Sequence, residues 1–95
     1  MQAAALRSAP HPDATWSSPV RALWYEAHGD WHRAHDELQD DADQQSAWVH
    51  AYLHRVEGDR ANAAYWYRRA GRPLPAPQHP FADEWHDIAT ALLQQ

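Results

Sequence analysis

Residues 48–71 read WVHAYLHRVEGDRANAAYWYRRAG, and this stretch decides the fold. Trp48, Val49, Tyr52, Leu53 and Val56 recur at the spacing of one face of an α-helix. Gly58 stops that helix, because glycine accepts the left-handed conformation in which helices commonly end. Asp59 then caps a second helix, its carboxylate available to the free N–H groups of the first turn. Ala63, Trp66, Tyr67 and Ala70 form the apolar stripe of this second helix, and Gly71 terminates it. Arg68, Arg69 and Arg72 gather at its C-terminal end, where positive charge complements the macrodipole. The segment therefore predicts two helices joined by a Gly-Asp turn.

The same device occurs 29 residues earlier, at Gly29-Asp30. Before it, Val20, Leu23, Trp24 and Ala27 predict a helix over 19–28, with Ser18 as cap and Pro19 as first helical residue. After it, Trp31, Ala34 and Leu38 predict a helix running from the Asp30 cap to about residue 39. Superposing the two turns also aligns Ala22 with Ala51 and Ala34 with Ala63, which implies two helical hairpins packed closely through small side chains. Five acidic residues between Asp36 and Asp43 oppose a helix C-terminus, so 40–45 reads as a loop. Pro73, Pro75, Pro77 and Pro80 make 72–80 an extended strap. Phe81, Trp85, Ile88 and Leu92 predict a last helix that caps the stack. Residues 1–18 hold Pro10, Pro12, Ser17 and Ser18 without sustained periodicity and read as a flexible or loosely docked arm. The expected organisation is all-α: this arm, then one helical domain over 19–95.

The repeat carries a resemblance. Gly29-Asp30-Trp31 with Ala34, and Gly58-Asp59 with Ala63 and the run from Ala63 to Ala70, resemble tetratricopeptide and Sel1-like repeats over roughly residues 20 to 71. The stretch 48–71 also resembles a group of small uncharacterised bacterial helical proteins. The period of 29 is shorter than a standard tetratricopeptide unit, and there are two units where such arrays usually have three or more. What the resemblance implies is a non-catalytic adaptor module that takes a protein or peptide partner in a groove.

Composition sets the outer limits. A chain of 95 residues supports a single small core. With 44% hydrophobic and 22% charged residues it is apolar enough to fold, yet no run is long enough to span a membrane. The net charge of -5 argues against nucleic acid as a partner. Cysteine is absent, which excludes disulfides, thiol nucleophiles and thiolate metal sites. The first nine residues lack the basic start and apolar run of a signal peptide, so the expected location is the cytoplasm. Six Trp and four Tyr supply large buried areas to a small core.

Two constellations carry candidate chemistry. His28, His32, His35 and Asp36 place three imidazoles and a carboxylate around the first Gly-Asp turn, and their convergence would hold a divalent transition metal such as zinc. The second lies off the apolar arcs of the two helices in 48–71. His50, His54 and Glu57 share a stripe on the first, and Asn62, Tyr65 and Arg69 share one on the second. That mixture of imidazole, carboxylate, amide, phenol and guanidinium suits a peptide or polar ligand, or else ties down the strap and the arm. Arg55, with Glu57 and Arg60, reads as surface charge. No serine stands in a nucleophile motif and no glycine-rich loop is present, so catalysis is not expected and no cofactor is called for outside the metal alternative. Oligomeric state stays open.

Overall fold

The two Gly-Asp dipeptides fold into the same turn. In the computed structural model, which describes residues 1–94, α2 (Ser18–Ala27) is followed by α3 (Trp31–Glu37), and α4 (Gln44–Glu57) by α5 (Arg60–Ala70). Gly29 and Gly58 take positive φ of 83° and 91°. The N–H of Asp30 reaches back to the Tyr25 carbonyl at 2.9 Å, and that of Asp59 to the His54 carbonyl at 3.0 Å. Each aspartate then accepts from the backbone three residues on, Asp30 from Arg33 and Asp59 from Asn62, both at 3.1 Å. A left-handed glycine followed by an aspartate cap thus ends one helix and starts the next twice over. Across each turn the consecutive helices pack together, and Ala22, Ala34, Ala51 and Ala63 are all fully buried.

The remaining helices are α1 (Ala3–Ser8) and α6 (Phe81–Leu93), and no strand forms among the described residues. The domain is all-α. No helix is long and apolar enough to cross a membrane. α4 is the hub, touching α2, α3, α5 and α6. Its Val49, Tyr52 and Leu53 join Leu6, Leu23, Leu38, Trp85 and Ile88 in the main core, each fully buried aliphatic contributing about 1.5–3 kcal/mol. Trp85 Nε1 donates to the Leu23 carbonyl at 3.0 Å, which ties α6 to α2. A smaller cluster of Ala51, Ala63 and Tyr67, edged by Trp48, Trp66 and Leu74, holds α5 on the other side of α4.

Several expectations need correction. Residues 3–8, read as part of a flexible or loosely docked arm, form a helix whose Leu6 has no exposed surface and lies in the main core. Its single turn and a half offers only Ala3 and Leu6 to the interior, too short a pattern for periodicity to register. The Trp24 indole donates to the Ala9 carbonyl at 2.9 Å and fixes the following segment. The acidic run serves the next helix as well as burdening the previous one, since Asp43 caps α4 through the Ser46 N–H at 3.3 Å. Ser17, not Ser18, is the N-cap of α2. Phe81, placed on the apolar stripe of the last helix, is 46% exposed and lies under the Arg55 guanidinium, 4.6 Å from its ring centre.

Arg55 is the largest correction. Instead of surface charge it is a buried cation that pairs with Glu84 of α6 at 3.0 Å. Its guanidinium also donates to the strap carbonyls of Ala76, at 3.3 Å, and His79. The Tyr67 hydroxyl donates to the second Glu84 oxygen. Burial and that bond push the Tyr67 phenol up, so it stays a donor.

Candidate metal centre

Three helices deliver rings to one place because each offers residues four apart. On α3, Trp31 and His35 lie on one face, on α4 His50 and His54, and on α5 Asn62 and Trp66. The Asp30 cap starts α3 at Trp31, whose indole donates to the Leu53 carbonyl of α4 at 2.7 Å. That bond sets α3 against α4 and turns His35 inward.

The result is a cluster of imidazoles walled by indoles. His35 Nε2 and His50 Nε2 are 2.9 Å apart, a hydrogen bond in which one ring donates and the other accepts. His50 and His54 stack with centroids 5.4 Å apart, and His35 meets His50 edge-on at 4.6 Å. Trp66 stacks on His50 at 4.0 Å, and Trp31 on His35 at 5.1 Å. One ring nitrogen from each of His35, His50 and His54 lies within 4.8 Å of the other two. His50 and His54 are each only 6% exposed, with His35 half-buried.

Electrostatics favour the neutral form of His35 and His50. Burial, then repulsion from His35, His54 and Arg69, pushes the His50 pKa down to about 4. Burial, with His54 next, also holds His35 below the ordinary imidazole value. Neutral rings keep lone pairs, which a metal requires. His54 Nδ1 donates to Glu57 Oε1 at 2.7 Å, leaving Nε2 as the acceptor, reached only by a long 3.4 Å contact from the Asn62 amide. The same carboxylate-histidine pairing orients the ligands of many metal sites. His50 Nδ1 is buried with no hydrogen-bond partner. Two nitrogens on a tetrahedral zinc stand about 3.3 Å apart. The observed 2.9 Å needs to open by only a few tenths of an ångström.

The two sequence constellations are therefore redistributed. Of His28, His32, His35 and Asp36, only His35 enters the cluster. His28 stacks on Trp24 at 3.9 Å and donates from Nδ1 to that residue's carbonyl, His32 is exposed against the edge of Trp31, and Asp36 is exposed. These three lie on other faces of a short helix and its preceding turn. Of the six residues expected on a binding face, His50 and His54 turn inward, while Glu57 and Asn62 border them. Tyr65 stays 46% exposed, and the exposed Arg69 donates to its hydroxyl at 3.3 Å. Trp31 and Trp66 were assigned only to apolar stripes, although their spacing of four from His35 and Asn62 was a usable signal.

Comparison with known proteins finds no family model, no curated relative and no solved structure that matches this chain.

Proposed function

We propose that this domain binds a divalent transition ion of the zinc class through His35, His50 and His54. The observation that carries this reading is the meeting of three imidazoles from α3 and α4 within 4.8 Å, in a seam closed by Trp31 and Trp66. Imidazole nitrogens suit zinc, copper and nickel better than magnesium or calcium. An ion there would clip α3 to α4 and replace the His35–His50 hydrogen bond with stronger coordination. The role proposed is binding.

The test is calorimetric titration of the full chain with zinc chloride, paired with thermal melting. One saturable site is expected, and zinc at about 100 times its Kd should stabilise the fold by about 2.7 kcal/mol. His35→Ala and His54→Ala should abolish both effects. Binding that survives both substitutions, or no saturable binding at all, overturns the proposal.

A second reading, a tetratricopeptide- or Sel1-like module for a protein or peptide partner, is supported by the recurring Gly-Asp turn and by the exposed Tyr65 and Arg69 side by side on α5. Tyr and Arg are favoured anchors at interfaces.

A further inference from the structure

The period of 29 residues maps Arg21, Tyr25, Arg33 and Glu37 onto His50, His54, Asn62 and Trp66. The first hairpin therefore carries its own set of polar and aromatic side chains at the equivalent seam between α2 and α3. In the second hairpin that seam is closed, because Trp31 and His35 of the preceding helix pack into it. On the first hairpin the corresponding place is taken by Pro12 and Ala14. They leave a surface hollow of about 400 Å³, lined by these two residues with Arg21, Tyr25, Arg33 and Glu37.

Arg21 builds the walls. Its Nε donates to Glu37 Oε2 at 3.0 Å, and its terminal nitrogens donate to the Trp16 carbonyl, to the Ala14 carbonyl at 3.4 Å and to Ser18 Oγ at 3.3 Å. Those bonds fix the chain before α2 and commit most of the Arg21 donors. Arg33 is differently placed. Its Nε pairs with Glu37 Oε1 at 3.5 Å, and its guanidinium lies over the Tyr25 ring, 4.9 Å from the centre. Among the described residues neither the two Nη groups of Arg33 nor the Tyr25 hydroxyl has a hydrogen-bond partner. Glu37, its side chain 14% exposed, is shared by both guanidiniums, so its charge is answered. One positive charge is left over among the lining residues, at Arg33, beside a phenol donor and two apolar side chains.

We propose that this hollow binds a small organic carboxylate, its acid group on Arg33 with the Tyr25 hydroxyl as second donor, its apolar body against Pro12 and Ala14. The paired N–H groups of a guanidinium match the two oxygens of a carboxylate. The ring beneath Arg33 holds that fork in place. A single negative charge balances the lining, whereas a phosphate dianion would set an excess beside Glu37. The volume falls within the roughly 300–1,000 Å³ of small-molecule sites, which leaves room for a ligand larger than acetate. None of the three clustered histidines takes part, so the inference stands apart from the metal reading.

The test is titration of the isotopically labelled full chain with sodium benzoate at constant ionic strength, followed by NMR of the arginine Nε–H and tyrosine ring signals. N-acetylphenylalanine, whose carboxylate ends a peptide-like unit, benzamide and inorganic phosphate are parallel arms. The Arg33 and Tyr25 signals should move saturably with benzoate or N-acetylphenylalanine, the tighter of the two naming a free acid or a chain end as the source. They should stay in place with benzamide. Arg33→Ala, followed at Tyr25, should weaken binding about tenfold, and Tyr25→Phe roughly threefold. Arg68→Ala removes an exposed arginine of α5 and should change nothing. Unchanged affinity in Arg33→Ala, an equal loss in Arg68→Ala, a benzamide response matching that of benzoate, or a response to phosphate alone overturns the proposal. So does the absence of any saturable shift.

Discussion

His54 and Arg55 are neighbours on α4, yet they enter two buried polar clusters that solve the problem of burial in opposite ways. Arg55 keeps its charge. Its side chain and that of Glu84 are 3% and 6% exposed, and the pair is closed by Tyr67 and by strap carbonyls. His54 sits with His35 and His50, whose pKa values burial and mutual repulsion hold down, and His50 Nδ1 has no partner. Arg55 Nε is likewise buried without a partner, but a guanidinium N–H only donates and offers no lone pair to a cation. Imidazole nitrogens do offer lone pairs, and their cluster is where an ion can still enter. The contrast separates a structural polar cluster from a candidate binding one.

The largest effect that bears on this contrast is expected on the closed side. Arg55→Met leaves Glu84 buried without its cation, and removal of one partner of a buried pair costs about 3–5 kcal/mol. Urea unfolding measures it. The double variant Arg55→Met, Glu84→Met should recover much of the loss, because no charge is then stranded. A single-variant cost under about 1 kcal/mol would place the pair in solvent and erase the contrast.

Acid should act on the open cluster. An unfolded histidine takes its proton near 6.5, whereas His50 in the fold takes one only near 4, and His35 is depressed in the same direction. Between these values the unfolded chain binds more protons, so falling pH favours unfolding. Stability contributed by neutral His35 and His50 is full above about pH 6.5 and is lost progressively toward pH 4. Denaturant melts at a series of pH values should show this slope, and His50→Gln should flatten it. An unchanged slope in His50→Gln would mean that other groups dominate acid sensitivity.

These clusters also mark where the sequence could be read and where it could not. The Gly-Asp turns, the alanines at the crossings and the last helix were legible because each is local: a φ preference, a cap, a spacing of three or four. The spacing of four that puts His50 and His54 on one stripe was equally visible. That His35 would meet them was not, since it depends on how α3 rolls against α4, fixed by the Trp31–Leu53 hydrogen bond. Arg55 misled for a related reason. Its partner stands 29 residues away in α6, and a charged residue flanked by charges reads as solvated until that helix is in place. Helix α1 escaped because two buried residues make no period.

The smallest effect expected on stability is the sharpest test of the contrast, because it compares two carboxylates, each bound to one cluster. Glu84 is buried; the Glu57 side chain is 37% exposed and bonds His54 at its rim. Glu57→Gln leaves an amide oxygen that can still accept from His54 Nδ1 at the rim, and should cost less than about 1 kcal/mol in the metal-free protein. If Glu57 orients His54 for an ion, however, the same change should lower zinc affinity about 10- to 100-fold, the usual toll of losing a carboxylate behind a metal-bound imidazole. Melting without zinc and calorimetry with it give the two numbers on one variant. A small stability cost with a large affinity loss marks Glu57 as a positioning residue for the metal. Equal and small effects on both would make it an ordinary hydrogen-bond partner of His54 and remove the functional distinction between the two sides of α4.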